Sequence, residues 1–158
     1  MLKINDKIPN FEILTDKGEF KASNYLGKKI VIFFFPRADT SGCTAESIAF
    51  TNLQKKFENL NCIVIGISKD NIKKQAKFRE KYNLTCELGA DFENNVCEQF
   101  GVWVEKSMYG RKYMGIQRAT FLCDEKGIIT NVWEKVKVPG HADEVLAAVE
   151  KMIYPPYQ

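Results

Sequence analysis

Two apolar runs separated by one helical stretch constrain the fold of this chain more than any other feature of the sequence. The first run, Ile30–Phe35, is β-branched and aromatic and is closed by Pro36, which is typical of a strand buried on both faces. The second run is Cys62–Ile67. Because a strand, a helix and a strand at this spacing form a right-handed crossover, the two runs predict neighbouring parallel strands.

The rest of the chain predicts one α/β domain over residues 1–158, since it shows no composition break and no internal repeat. In chain order, the predicted elements beside the two buried strands are a hairpin of Phe11–Leu14 and Glu19–Lys21, a helical turn capped by Ser23, a helix with a buried face at Ala45, Ala49, Leu53 and Phe57, a helix over Ile72–Tyr82, a strand near Cys86–Leu88, a short helix around Asn95–Phe100, an antiparallel pair of Ala119–Cys123 and Ile128–Trp133, and a last helix from about His141 to Ile153. This order predicts a central mixed β-sheet flanked by helices, with an added N-terminal β-hairpin.

Cys43 is the candidate nucleophile, because it stands between the first buried strand and the start of the helix that follows. A cysteine in the first turn of a helix meets unpaired backbone N–H groups and the positive end of the helix dipole, and both favour its thiolate. A small buried thiol without chemistry is the alternative that Cys43 alone leaves open. The surrounding residues must therefore decide between the two.

Composition limits the classes of function. The 23 basic and 20 acidic residues give a net charge of +3, which is too small to predict binding to nucleic acid or to a membrane surface. No window approaches the ~18 apolar residues of a membrane span, and the N-terminus lacks the apolar core of a signal peptide, so we expect a cytoplasmic protein. Five cysteines without a C-x-x-C pair or metal-ligand spacing predict reduced thiols, with no disulfide scaffold, metal or cofactor.

The residues around Cys43 belong to a longer pattern. Pro36, Thr40 and Cys43 give P-x-x-x-T-x-x-C, and further blocks follow in order at Ile65–Ser68, Val96–Trp103 and Gly115–Arg118. Together they resemble the peroxiredoxins, thiol peroxidases on a thioredoxin-like fold, and in particular the peroxiredoxin Q subfamily, also called bacterioferritin comigratory protein. The matching blocks extend over nearly the whole chain.

The resemblance implies a thiol peroxidase that reduces hydrogen peroxide and organic hydroperoxides. The Cys43 thiolate would attack the O–O bond and become a sulfenic acid. Thr40 would contact the sulfur and the substrate, and Arg118 would stabilise the thiolate and the transition state. The peroxide-binding side of the site is expected to contain Pro36, Gly42 and Glu46.

Three of these side chains have ordinary alternatives. Taken alone, Thr40 would be a helix cap and Arg118 a surface ion-pair partner, but their place beside Cys43 favours the catalytic roles. Glu46 has two equally supported roles, which are positioning of Arg118 and favourable interaction with the helix dipole. His141, the only histidine, is expected to serve helix capping or solvent contact and not as the base of a cysteine–histidine hydrolase.

The sequence departs from the commonest pattern of its subfamily at the recycling step. Many members carry a resolving cysteine five residues after the peroxidatic one, where this chain has Ile48, and others carry it in the following helix, where Phe78–Glu80 offers none. Cys86 and Cys97 remain as candidates, because Cys62 and Cys123 lie at predicted strand ends and are expected in the core. We expect a one-cysteine cycle in which glutathione, a thioredoxin or a glutaredoxin reduces the sulfenic acid.

Two other functions remain open on the same fold. A thiol-disulfide oxidoreductase would exchange disulfides without consuming peroxide. A non-catalytic redox-sensing or holdase module would change its association when oxidised and would not turn over peroxide. Many members of the resembling subfamily are monomers, so a monomer is expected, with a dimer as the alternative.

Overall fold

The computed structural model describes residues 1–153 of the chain. The strands are β1 (Glu12–Thr15), β2 (Gly18–Lys21), β3 (Lys29–Phe34), β4 (Cys62–Ser68), β5 (Glu87–Ala90), β6 (Trp103–Met108), β7 (Arg111–Ile116), β8 (Ala119–Cys123) and β9 (Ile129–Trp133). The α-helices are α1 (Ser41–Asn52), α2 (Gln54–Asn59), α3 (Ile72–Tyr82), α4 (Val96–Phe100) and α5 (His141–Ile153). The predicted single domain also includes residues 154–158, which lie outside the described residues.

Seven strands form one mixed sheet in the order β2-β1-β5-β4-β3-β8-β9. The two apolar runs lie side by side as predicted, since β3 and β4 pair in parallel from Lys29↔Cys62 to Phe34↔Ile67. β5 continues the parallel set, whereas β8 and β9 pair antiparallel and the β1–β2 hairpin joins the sheet through β5. The predicted mixed sheet, its helices and the N-terminal hairpin are therefore confirmed.

Successive side chains of β3 point alternately into two hydrophobic cores, one on each face of the sheet. Ile30, Ile32 and Phe34 lie in the core that α4 covers, while Val31 and Phe33 lie in the core under α1, α2, α3 and α5. This second core also contains Cys43. The sheet thus fixes the face on which the candidate nucleophile lies.

A close contact in the second core sets the position of α1. A Cβ on Gly66 would lie 2.4 Å from Cζ of Phe33, so only glycine lets that ring lie against β4. The Phe33 ring stacks on Phe50 of α1, with ring centroids 4.6 Å apart. The Phe33 ring therefore packs between Gly66 of β4 and Phe50 of α1, the helix that carries Cys43.

The predicted buried face of the helix after Cys43 is correct in part, since Ala49, Leu53 and Phe57 lie in or against the second core. Ala45 is exposed and α1 ends at Asn52, so that Phe57 belongs to the separate helix α2. The side chains of α1 that are buried are Cys43, Glu46, Ser47 and Phe50. An apolar pattern could not find this face, because two of its four positions are polar.

Several smaller predictions differ from the structure. β1 begins one residue later than the predicted Phe11–Leu14, and the strand near Cys86–Leu88 extends instead over β5. Ser23 does not cap the helical turn, because it lies inside a 3₁₀ helix, Ala22–Tyr25, that Lys21 precedes.

The hairpin of β6 and β7 was not predicted. It forms a two-stranded sheet apart from the main one, paired from Trp103↔Ile116 to Met108↔Arg111. Its turn residues Tyr109 and Gly110 have φ angles of 51° and 78°, as in a type I′ turn, which usually carries Asn or Asp with Gly. The turn could not be predicted, because its first position holds Tyr109 where Asn or Asp is usual.

Within residues 1–153, no helix combines the length and the apolar character that a membrane span needs. The same residues contain no group of three or more His, Cys, Asp and Glu side chains that could hold a metal ion.

Candidate active site

Cys43 lies in the first turn of α1, two residues after the helix begins at Ser41. The connection from β3 is short, so the helix N-terminus stands at the carboxyl end of the central parallel strands. The Cys43 side chain is 0% exposed. Cys43 thus belongs to the helical turn that has unpaired backbone N–H groups, and its thiol is shielded from bulk water, as expected from the sequence.

Arg118, the residue directly before β8, contacts Cys43. Its Nη2 donates to Sγ of Cys43 at 3.3 Å, and its Nη1 donates to Oε1 of Glu46 at 2.7 Å. A Cβ on Gly42 would lie 3.3 Å from the same Nη2, so the glycine leaves room for the guanidinium. One planar fork therefore joins the thiol and a buried carboxylate that lie 75 and 72 residues away in the chain.

Burial and charge shape the ion pair of Glu46 and Arg118. Burial raises the pKa of Glu46 to about 7, although Arg118 opposes this shift. Burial also lowers the pKa of Arg118, but the charges of Glu46 and Cys43 outweigh it, so that the pKa of Arg118 is raised overall. Of the two roles left open for Glu46, the 2.7 Å bond favours the positioning of Arg118.

Helix α1 contains three buried side-chain oxygen atoms without a hydrogen-bond partner within residues 1–153, one of them on Glu46. Among the described residues, no group donates to or accepts from Oε2 of Glu46, Oγ1 of Thr44 or Oγ of Ser47, and all three atoms are buried. Buried polar atoms are costly unless they are hydrogen-bonded. The α1 face beside Cys43 therefore offers hydrogen-bonding capacity that the protein itself leaves unused.

Thr40 and Pro36 lie in the loop before α1, and both are exposed. Thr40 is the N-cap residue with an extended backbone, but its side chain caps no helical N–H group. Its hydroxyl donates to the carbonyl of Arg37 at 2.9 Å. Because a hydroxyl has one hydrogen, Thr40 must rotate before it can donate to Cys43 or to a substrate.

The same loop is tied to the neighbouring elements. Asp39, with φ of 62°, accepts hydrogen bonds from the Tyr82 hydroxyl and from Lys81 Nζ at the end of α3. The hydrogen bond from Tyr82, followed by that from Lys81, lowers the pKa of Asp39. The N–H of Ala38 donates to Asp70 at 2.8 Å. The loop that presents Cys43 is therefore held by side chains that follow β4 and end α3.

Both candidate resolving cysteines are buried. Cys86 shares the core of Cys43 but is 0% exposed, and burial raises the pKa of its thiol to about 11. Cys97 lies in the other core, on the far face of the sheet, and burial and the Asp91 carboxylate raise the pKa of its thiol. Cys62 and Cys123 are buried in the cores, as predicted.

The solvent contact expected for His141 is wrong. The residue does begin α5, but its ring is 3% exposed and its Nε2 lies 2.8 Å from Oγ1 of Thr120. It packs edge-on against Phe50 and Trp133. Burial lowers the pKa of His141. The histidine is thus a hydrogen-bonded core residue, which sequence spacing could not show.

Lys106 on β6 is a residue near the site that the sequence analysis missed. It is half-buried, and burial and then the positive charge of Arg118 lower its pKa, whereas Cys43 raises it. The sequence could not single out Lys106, because the β6–β7 hairpin was not predicted. A lysine in a mostly polar segment is otherwise expected to be solvent-exposed.

Comparisons with known proteins agree with this arrangement. The model of the AhpC/TSA family matches residues 4–132. Peroxiredoxin Bcp of Bacillus subtilis is 41% identical over 152 residues, which cover 96% of this chain and 97% of that protein. A solved structure of a Xylella fastidiosa PrxQ mutant has a TM-score of 0.92 and 32% identity, covering 97% of this chain and 98% of its own. Xanthomonas campestris bacterioferritin comigratory protein, in a structure concerned with alkyl peroxide reduction, has a TM-score of 0.88 and 32% identity over 95% of this chain and 99% of its own.

A thioredoxin-like fold that holds a thiol in the first helical turn beside an arginine defines a class of thiol-dependent peroxidases. The chain belongs to the AhpC/TSA family, and its relatives there are the Bcp and PrxQ peroxiredoxins. It is a peroxiredoxin, which uses a peroxide as substrate and a thiol as reductant. Membership in this family favours peroxidase activity over the two alternatives left open by the sequence.

Proposed function

We propose that Cys43 is the peroxidatic thiol of this peroxiredoxin and that it works in a one-cysteine cycle. The observation that carries the proposal is the fork of Arg118, which donates to Sγ of Cys43 at 3.3 Å while it is anchored on Glu46. A cation with directional donors at the sulfur favours the thiolate and is already oriented when charge develops on the substrate.

The first step follows from this geometry. The Cys43 thiolate attacks one oxygen of the peroxide, a sulfur–oxygen bond forms, and the O–O bond breaks. The electron pair leaves with the second oxygen, which takes up a proton and departs as water or as an alcohol. Arg118 stabilises the leaving oxygen, and the loop residues Pro36, Thr40 and Gly42 line the approach. After rotation, the Thr40 hydroxyl would bind the peroxide.

The one-cysteine cycle is supported by the positions of the other thiols. Cys97 lies on the opposite face of the sheet from Cys43, and Cys86 lies fully buried against Thr51 near the end of α1. A thiol must ionise and reach the sulfenic sulfur to resolve it, and burial opposes both. Closure of a disulfide with either residue would require rearrangement of the core.

An external thiol then completes the cycle. One thiol condenses with the sulfenic acid to a mixed disulfide and releases water, and a second thiol releases Cys43 as it forms the oxidised reductant. Glutathione, a thioredoxin and a glutaredoxin are the proposed reductants. Because Cys43 is 0% exposed, the first turn of α1 must open before such a partner can reach it.

The proposed substrates are hydrogen peroxide and organic hydroperoxides. The Xanthomonas campestris relative is described as reducing alkyl peroxides, which supports the second class. We further propose a monomer in the cytoplasm, where the five free thiols stay reduced. Light scattering of the reduced and the oxidised protein would test the oligomeric state, and a stable dimer would overturn the monomer.

The test is peroxide turnover by wild type, Cys43→Ser, Cys86→Ala and Cys97→Ala with each reductant in turn. We expect Cys43→Ser to lose turnover, while the two alanine variants keep wild-type rates with at least one external thiol. Loss of turnover in either alanine variant, with unchanged oxidation of Cys43, would replace the one-cysteine cycle by an internal resolving thiol. Full turnover by Cys43→Ser would contradict the assignment of the nucleophile.

A further inference from the structure

The β6–β7 hairpin contains a lysine whose side chain runs toward the base of the hairpin. In the hairpin register Lys106 is paired with Tyr113, and Val104 is paired with Gly115. A Cβ on Gly115 would nevertheless lie 3.1 Å from Cδ and 3.4 Å from Cε of Lys106. The lysine side chain therefore crosses diagonally over Gly115, toward the base of the hairpin and away from its tip.

The base of the hairpin is where the chain returns to the active site. Gly115 is followed by Ile116, Gln117 and Arg118, and Arg118 donates to Cys43. The absence of a side chain at Gly115 is what lets the methylenes of Lys106 lie flat in this direction. Gly115 thus lets the Lys106 side chain extend toward the end of the hairpin from which the chain continues to Arg118.

The charges around Lys106 agree with this direction. Its pKa is lowered by burial and by the positive charge of Arg118, and it is raised by Cys43, so both active-site groups act on it. The other lysine of the hairpin, Lys112, is 77% exposed and lies 3.7 Å from Glu105. Lys106 has no such carboxylate partner among residues 1–153. A half-buried lysine without a carboxylate partner is unusual, since burial of an unpaired charge costs free energy.

We propose that Lys106 is a second cation of the active site, which supports the thiolate of Cys43 and the anionic leaving oxygen together with Arg118. The proposal rests on the proposed role of Cys43 as the nucleophile. A second cation would help the thiolate, because buried Glu46 compensates part of the positive charge of Arg118. Lys106 is a positioning residue in this account, since it acts on the sulfur through the electrostatic field and not by a bond.

The groups that face the sulfur all enter the pH dependence of its oxidation. Glu46 lies on the same helix as Cys43, Arg118 precedes β8, and Lys106 comes from β6. His141 at the start of α5 also experiences the charge of Arg118. Only Lys106 among them can be replaced without removing a hydrogen bond described in this cluster.

The experiment measures single-turnover oxidation of Cys43 by hydrogen peroxide as a function of pH in wild type, Lys106→Met, Lys106→Arg and Lys112→Met. Lys112→Met is the matched control, because it makes the same substitution on the same hairpin at an exposed lysine. We expect Lys106→Met to move the midpoint of the profile upward by about half a pH unit, equivalent to about threefold slower oxidation below the midpoint. Lys106→Arg should keep the wild-type midpoint, and Lys112→Met should leave it unchanged.

A second variant tests the geometry. Gly115→Ala places a methyl group against Lys106, so it should reproduce part of the shift while the lysine is still present. A wild-type midpoint in Lys106→Met would overturn the proposal. So would a lower rate at every pH without a moved midpoint, or a shift that arginine does not rescue, since both indicate a structural role. If wild-type protein itself fails to oxidise at Cys43, the proposed function falls first, and that result is distinct from the others.

Discussion

Nη2 of Arg118 lies 3.3 Å from Sγ of Cys43, although 75 residues separate them in the chain. The contact depends on two elements that the sheet brings together, because β8 is the antiparallel neighbour of β3 and α1 follows β3. The second branch of the guanidinium is fixed on Glu46 at 2.7 Å. The fork is therefore oriented before a substrate arrives, which is the condition for effective electrostatic stabilisation.

Replacement of this fork should slow oxidation of the thiol. We expect Arg118→Met to reduce the second-order rate of Cys43 oxidation by about a hundredfold, as for the loss of one preorganised donor. Arg118→Lys should give an intermediate rate, because it keeps the charge but loses the two-branched geometry. Stopped-flow oxidation would measure both. Arg111→Met, at an exposed arginine on β7, is the control and should react at the wild-type rate.

Glu46 should make stability depend on pH in a specific direction. Burial raises the pKa of Glu46 from 4.5 to about 7 in the folded protein, so the folded state binds a proton more tightly than the unfolded state does. The contribution of Glu46 to the free energy of unfolding is then fully present below pH 4.5 and is lost as the pH rises to about 7. The loss corresponds to about 3 kcal/mol at most.

Glu46→Gln cannot titrate, so the comparison isolates this effect. Urea unfolding of both proteins at a series of pH values should show wild type losing stability relative to Glu46→Gln across that interval. Glu80→Gln, at an exposed position of α3, should leave the pH dependence unchanged. A difference between wild type and Glu46→Gln that is constant over the interval would contradict a raised pKa of Glu46 in the folded protein.

The Asp39 contacts should control how easily the first turn of α1 opens. Asp39→Ala removes the acceptor of Tyr82 and Lys81, so the loop before α1 loses its attachment to α3. We expect faster modification of Cys43 by a bulky thiol reagent and weaker hydrogen-exchange protection of the first turn of α1. Tyr82→Phe, which removes only one of the two bonds, should have a smaller effect in the same direction. Equal accessibility of Cys43 in all three proteins would show that the loop is held by other contacts.

The contact between Gly66 and Phe33 gives a test of the core. Gly66→Ala forces a methyl group into the Phe33 ring, which lies 2.4 Å from the ideal Cβ position. Such overpacking costs about 1–3 kcal/mol, which chemical denaturation can measure. Combination with Phe33→Leu should recover part of the loss, because the smaller side chain vacates the space. Wild-type stability of Gly66→Ala alone would mean that the ring can shift freely.

Much of the fold could be predicted from the sequence because the buried strands carry strong local signals. The run Ile30–Phe35 is short, β-branched and aromatic and is closed by Pro36, which favours a strand over a buried helix, and Cys62–Ile67 is similarly short and β-branched. The antiparallel pair of β8 and β9 also follows from two apolar segments around a turn. The hairpin of β6 and β7 could not be predicted, because its strands are mostly polar and partly exposed and its turn begins with Tyr109.

The candidate site was predicted from a motif, and its geometry shows what a motif leaves out. Cys43, Arg118 and Glu46 meet in the structure, whereas the Thr40 hydroxyl is engaged elsewhere. The sequence also could not show on which face of the sheet each candidate resolving cysteine lies, and the structure places Cys97 in the core opposite Cys43. His141 was misassigned for a similar reason, since its partner Thr120 belongs to a strand that is distant in sequence.

Intact mass with cysteine mapping, after one equivalent of hydrogen peroxide is added to the reduced protein without reductant, tests the role of Cys43 most directly. We expect rapid gain of one oxygen at Cys43, no gain in Cys43→Ser, and unmodified thiols at the four other cysteines. Loss of two hydrogens with a bond from Cys43 to Cys86 or Cys97 would contradict the one-cysteine cycle. A free Cys43 beside unconsumed peroxide would contradict its role as the peroxidatic thiol.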